Sequence, residues 1–146
     1  MIVMASKFTR EDIHDVPDEA FQPTHITFPR RQFGVSAPVN RSFQAAWFNR
    51  FKWLHYDVGQ DAAYCFLCCK AVKERKIDLS VYSEESFLVK GFTNWKDATR
   101  IFARHENCEF HRLSAAALAN RINVGACYPS KLLLRNSRIG NICLKY

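Results

Sequence analysis

A small α+β module is what residues 41–121 predict, and three observations predict it. Apolar residues flank Gly59-Gln60-Asp61 on both sides, in Trp53–Val58 and Ala62–Phe66, as the strands of a hairpin do. Trp95, Ala98, Ile101 and Phe102 share one helical stripe, and Phe110, Leu113 and Ala117 share another. Between and within these elements stand two pairs of metal-ligating residue types. Cys65 and Cys68 have two residues between them, and His105 and His111 have five. The expected fold is therefore a β-hairpin and a kinked helical pair held by a metal, with poorly ordered arms on either side.

Taken in order, residues 1–40 hold four of the five prolines and an acidic cluster from Glu11 to Glu19. Few periodic apolar positions occur there, so ordering the backbone would cost more than burial returns. A largely disordered arm is expected, with at most a short extended segment at His25–Phe28. His14 and His25 are read as surface histidines. Phe43, Ala46, Trp47 and Phe51 then fall at helical spacing and predict a short amphipathic helix. The hairpin follows and delivers Cys65 and Cys68 at its far end, where a knuckle-like turn fits. Its aromatic residues are assigned to core packing in preference to base stacking.

Residues 69–90 are expected to form a loop or an irregular connection, with Lys70 to Lys76 in solvent. A helix is predicted from Asn94, which serves as N-cap. Its apolar stripe carries His105 inward, while Lys96, Arg100 and Arg104 recur every four residues on the opposite side. His105 and His111 would project roughly 240° apart on an unbroken helix and could not meet one ion. The helix must therefore loosen near Asn107-Cys108 and resume from about Glu109 to Asn120. Residues 122–146 read as a basic, irregular tail.

Composition narrows the chemistry. A chain of 146 residues suggests one domain with flanks. It has no apolar run of about 18 residues, so no membrane partner is expected. The start has too short an apolar run for a secretory signal, so the six cysteines read as thiols in a reducing compartment. Such thiols favour metal over disulfides. Two thiolates and two imidazoles are the donor set of a closed tetrahedral zinc site, with Cys65, Cys68, His105 and His111 as ligands. The net charge of +7 is concentrated after Glu109: six basic residues follow it and no acidic one. A polyanion, above all nucleic acid, is the partner such an end suits.

Five separated blocks carry a family resemblance. They are Phe43-Gln44-x-x-Trp47-Phe48, Trp53-Leu54-x-Tyr56, Asp61-Ala62-Ala63-Tyr64-Cys65-Phe66-x-Cys68, Gly91-Phe92-x-Asn94-Trp95-Lys96-x-Ala98 and His105-Glu106 with His111. In this order they resemble the TTF-type zinc finger, an N-terminal DNA-binding region of hAT-superfamily transposases and of the related zinc-finger MYM-type proteins. The resemblance covers about residues 41–121. It implies Zn²⁺ on Cys65, Cys68, His105 and His111, a duplex DNA partner, and a nuclear location with chromatin proteins nearby. Two departures stand out. Leu67 occupies a position where many relatives have proline, and Cys69 adds a third thiol beside the pair. The acidic catalytic domain of the longer relatives has no counterpart before Tyr146, so transposition chemistry is not expected.

Four function classes can be weighed on these residues. The leading expectation is a zinc-stabilised module that binds nucleic acid, with Lys96, Arg100 and Arg104 facing phosphates or base edges. A zinc-stabilised protein-interaction adaptor is the first alternative. A duplex-RNA-binding finger is the second, because the histidine spacing also resembles U1-type fingers. A zinc hydrolase is set aside. His105-Glu106 and His111 are spaced two residues too widely for H-E-x-x-H, and two cysteines close the coordination sphere. No catalytic residue is assigned.

Overall fold

The computed structural model describes residues 7–80 and 83–120. Among these, the elements in order are β1 (Arg31–Phe33), β2 (Val39–Arg41), α1 (Trp47–Arg50), β3 (Leu54–Asp57), β4 (Ala62–Cys65), α2 (Phe66–Lys73), α3 (Ala98–Glu106) and α4 (Glu109–Asn120). A 3-10 turn at Arg10–Asp12 precedes them, and a π-helical turn at Ser86–Lys90 lies between α2 and α3. The strands make two antiparallel hairpins, β1–β2 and β3–β4. The expected basic tail, residues 122–146, lies outside the described residues.

The β3–β4 hairpin sits at the centre, paired from Leu54↔Cys65 to Asp57↔Ala62. Every residue of β4 is buried, because both faces of the hairpin are covered. Phe92 adds an antiparallel bridge at its edge, exchanging two backbone hydrogen bonds with Ala63 at 2.8 and 2.9 Å. Gly91 makes this approach feasible. Its φ is +83°, and a Cβ there would lie 2.6 Å from Ala62 Cβ and 2.8 Å from the Tyr64 hydroxyl. Around the hairpin, Phe43, Phe51, Trp53, Phe87, Trp95 and Phe102 are buried, mostly edge to face. Burying each such ring contributes on the order of 2–3 kcal/mol.

The kinked helical pair forms as expected, and the break has a local cause. Asn107 closes α3, its side-chain Nδ2 donating to Ala103 O at 2.8 Å. Cys108 opens α4: its Sγ accepts the His111 backbone N–H at 3.4 Å, and its carbonyl accepts that of Arg112 at 3.2 Å. Phe110, Ser114 and Ala117 are buried on α4, and Leu113 is half-buried.

Several expectations are corrected. Residues 7–40, expected as a largely disordered arm, pack onto the module. Phe8 and Ile13 join the core, His14 stacks on Tyr64 with centroids 3.7 Å apart, and β1–β2 forms within the same stretch. Their apolar positions are too sparse for a periodicity, so each enters the core singly. Side chains then hold the backbone: Arg10 donates to Val72 O at 2.8 Å, Gln22 donates to Leu54 O at 2.9 Å, and His55 Nδ1 accepts the Phe21 N–H at 3.0 Å. His25 is exposed, as read.

Residues 69–90 are not an irregular connection. Helix α2 runs to Lys73 and buries Cys68, Cys69, Ala71 and Val72, and the π-helical turn buries Phe87 and Leu88. The lysines of α2 alternate with these apolar positions and masked the inner face. Helix α1 is shorter than its spacing suggested. Helix α3 begins at Ala98 with Asp97 at the N-cap position, while Asn94 lies in the preceding turn and donates to Asp97 Oδ2 at 3.1 Å.

Candidate metal centre

Cys65 ends β4 and caps α2, and Cys68 lies in the first turn of that helix. Three residues apart at a helix start, the two side chains face the same way. Cys65 Sγ also accepts the Cys68 backbone N–H at 3.4 Å, which holds the turn closed. On the other side, α3 presents His105 from its last turn and α4 presents His111 from its first. The break at Asn107-Cys108 lets two histidines six positions apart face each other.

The four side chains are all buried, and their ligand atoms lie within 4.8 Å of one another. Cys65 Sγ is 3.3 Å from His111 Nδ1, and Cys68 Sγ is 3.7 Å from both His105 Nε2 and His111 Nδ1. The two imidazole nitrogens are 3.2 Å apart. A tetrahedral ion with Zn–S near 2.3 Å and Zn–N near 2.05 Å would set its ligands roughly 3.5 Å apart for S···N and 3.3 Å for N···N. The residues present fit such an ion.

Burial and close contact shift two of these donors. Burial pushes the Cys68 thiol well up, and Cys65 beside it adds to the rise. Burial alone would lower His105, but hydrogen bonds with Cys108, Cys68 and Glu84 hold it up at about 11.

Glu84 is a supporting residue that sequence reasoning missed. Its Oε1 is 3.3 Å from His105 Nδ1, and its Oε2 is 3.7 Å from Arg104 Nη2. The carboxylate directs the Nδ1 proton outward and leaves the Nε2 lone pair for the cluster. Its position in a stretch read as a loop gave no signal. Trp53 and Phe87 wall the site, with ring centroids 4.9 and 4.3 Å from that of His105. Cys69 is turned away from the cluster. Its Sγ donates to the Phe87 and Leu88 carbonyls at 3.5 and 3.9 Å. Glu84, His105 and Cys108 form a second grouping, which shares His105 with the first.

Lys96, Arg100 and Arg104 are all exposed. Only Arg100 and Arg104 lie on α3, since Lys96 belongs to the turn before it. Arg100 pairs with Asp97 at 3.7 Å and Arg104 with Glu84 at 3.7 Å, while Lys96 makes no ion pair with a described residue. None of the helices among the described residues is long and apolar enough to cross a membrane. Neither a family model, a curated protein nor a solved structure matches the chain.

Proposed function

We propose that the chain is a zinc-stabilised nucleic-acid-binding module of the TTF type. The observation that carries this reading is the closed, buried set of Cys65, Cys68, His105 and His111 at tetrahedral spacing. Two thiolates with two imidazoles select Zn²⁺ over harder cations. Four protein donors leave no position for an activated water, so the metal's role in this reading is structural and the module is not an enzyme.

Nucleic acid as partner is supported by the net charge of +7 and by the exposed cations at Lys96, Arg100 and Arg104. Duplex DNA is the form proposed, and a nuclear location belongs to the same reading. The experiment is metal analysis of the purified protein beside binding to random duplex DNA at two salt concentrations. One zinc per chain and an affinity that falls steeply with salt are expected. Zinc without salt-sensitive DNA binding would favour a protein-interaction adaptor, and tighter binding to duplex RNA would favour an RNA-binding finger. Absence of stoichiometric zinc would sink the reading.

A further inference from the structure

We infer that the outer face of the β1–β2 hairpin is a DNA-reading surface, with Gln32 and Asn40 directed at base edges, and with Arg30 before β1 and Arg41 at the ribbon's open end directed at the flanking phosphates. The inference rests on the reading of the chain as a DNA-binding module and names the part of it that meets the bases.

Residues 20–56 contain Arg30, Arg31, Arg41, Arg50 and Lys52 and no acidic residue at all. Elsewhere Arg10 pairs with Asp78, Arg100 with Asp97 and Arg104 with Glu84. In the acid-free stretch only Arg31 has an acidic partner among the described residues. Its Nε donates to Asp61 Oδ2 at 2.6 Å and its Nη2 to Asp61 O at 3.1 Å, with Asp61 also accepting the Tyr56 hydroxyl at 2.6 Å. Arg31 thus fastens the inner face of the hairpin to the β3–β4 turn, and Phe33 on that same face packs against the core.

Alternation then sets the other face outward. Gln32 and Asn40 are direct cross-strand partners, both exposed, and neither amide is bonded to a described residue. Arg30 immediately precedes β1 and is exposed. Arg41, the cross-strand partner of Arg31, belongs to the other face but is exposed at the ribbon's open end, beside Asn40. The turn, begun by Gly34 at φ +86°, leaves Val35 98% exposed at the tip. Lys96 directly follows Trp95, whose ring lies 5.4 Å from Phe43 and 6.1 Å from Trp47, so it borders the segment that carries Arg41 and Arg50.

A B-form major groove, about 12 Å wide, admits a two-stranded ribbon, and Asn and Gln amides bond adenine N6 and N7 there. The deep, narrow major groove of A-form RNA does not admit one. Paired amides, with arginines nearby that have no acidic partner among the described residues, therefore suit duplex DNA and not duplex RNA.

The test uses the full, zinc-loaded chain and two double variants, Gln32→Ala with Asn40→Ala, and Arg30→Gln with Arg41→Gln. Each is measured on a fixed DNA duplex at two salt concentrations, on the matching RNA duplex, and in selection from a randomised DNA pool. The parent should prefer DNA to RNA by at least about tenfold and enrich adenine-containing sites. The amide variant should lose that enrichment with its salt slope unchanged. The arginine variant should bind every sequence about tenfold more weakly and lose close to two units of salt slope. If either double variant loses zinc or helicity, the single variants Asn40→Ala and Arg30→Gln replace it, each expected to show part of the same effect. Parental behaviour in both variants, with DNA still bound, would overturn the ribbon and leave the proposed function standing. Equal binding of DNA and RNA would overturn it too. A parent that binds no duplex would overturn both readings.

Discussion

Glu84 and His105 hold a contact that decides which ring nitrogen faces the cluster: Glu84 Oε1 is 3.3 Å from Nδ1, and Nε2 is 3.7 Å from Cys68 Sγ. Removing the carboxylate frees the ring to change tautomer and tilt. Glu84→Ala should lower metal affinity by about 10- to 100-fold. Glu84→Gln, which keeps an acceptor oxygen, should lose less. Competition with a chromophoric chelator measures both. Unchanged affinity in Glu84→Ala would mean that packing by Trp53 and Phe87 alone orients the imidazole.

The ligand assignment separates neighbouring cysteines. Cys65→Ser and His111→Ala should lose the metal, while Cys69→Ser and Cys108→Ser should keep one ion per chain. Cys69 is committed to the Phe87 and Leu88 carbonyls, and Cys108 to the His111 backbone N–H. Structural zinc supplies on the order of 10 kcal/mol, comparable to a small domain's whole stability. Chelation should therefore abolish the helical circular dichroism signal and shift the emission of Trp53, whose ring touches both histidine rings. Stoichiometric metal in His111→Ala would identify another donor as the fourth ligand.

The hairpin and the helical break were legible in the sequence because each rests on a local rule. Gly59-Gln60-Asp61 separates two apolar runs, and the six-residue histidine step cannot close on one ion without a kink. Glu84 was not legible, since its partner lies 21 positions away and nothing local marks it. Helix α2 was hidden by Lys70, Lys73 and Lys76, whose charges suggested a solvated loop although Ala71 and Val72 between them are fully buried. The stretch before residue 41 hid its order differently. Ile13 and Phe8 are isolated apolar residues whose burial depends on partners far along the chain, which no window of sequence displays.

Gly91 should be intolerant of any side chain. The edge bridge between Phe92 and Ala63 brings its α-carbon over Ala62 and Tyr64, and φ of +83° disfavours an L-residue. Gly91→Ala should destabilise the fold by about 2–4 kcal/mol, read from the denaturant midpoint. A change within a few tenths of a kcal/mol would show that the bridge is not formed in solution.

Acid should weaken the attachment of the N-terminal segment. His14 lies on Tyr64, with Nε2 3.6 Å from Asp57 Oδ2. Burial holds its pKa below the usual 6.5, against the opposing pull of Asp57 and Asp15 and with Lys73 aiding. His55 is lowered in the same way, first by burial and then by His14, with Asp57 opposing. A folded-state pKa below the unfolded one means that the unfolded chain binds more protons as pH falls. This contribution is complete above 6.5 and is lost as pH drops through the lowered values. His14→Gln should therefore lose less stability than the parent between about pH 7 and pH 5.5, with zinc in excess for both. Parallel pH profiles would remove His14 from the acid response.

Lys96, Arg100 and Arg104 test the interface without disturbing the metal. Arg100 and Arg104 are paired with Asp97 and Glu84, but their side chains are 70% and 65% exposed. Exposed pairs of this kind contribute at most about 1 kcal/mol, and phosphate can displace them. Replacing all three residues by Gln should leave helicity intact and zinc bound at one per chain, since Glu84 retains its contact with His105. Duplex DNA binding should weaken at least tenfold, about 1.4 kcal/mol. The salt dependence should flatten by up to about three phosphate contacts, fewer if the acidic partners already shield Arg100 and Arg104. A loss confined to the single variant Lys96→Gln would assign the contact to the turn before α3, beside the segment of Arg41 and Arg50. Unchanged affinity in the folded triple variant would take this helix out of the interface and leave any DNA contact to other surfaces.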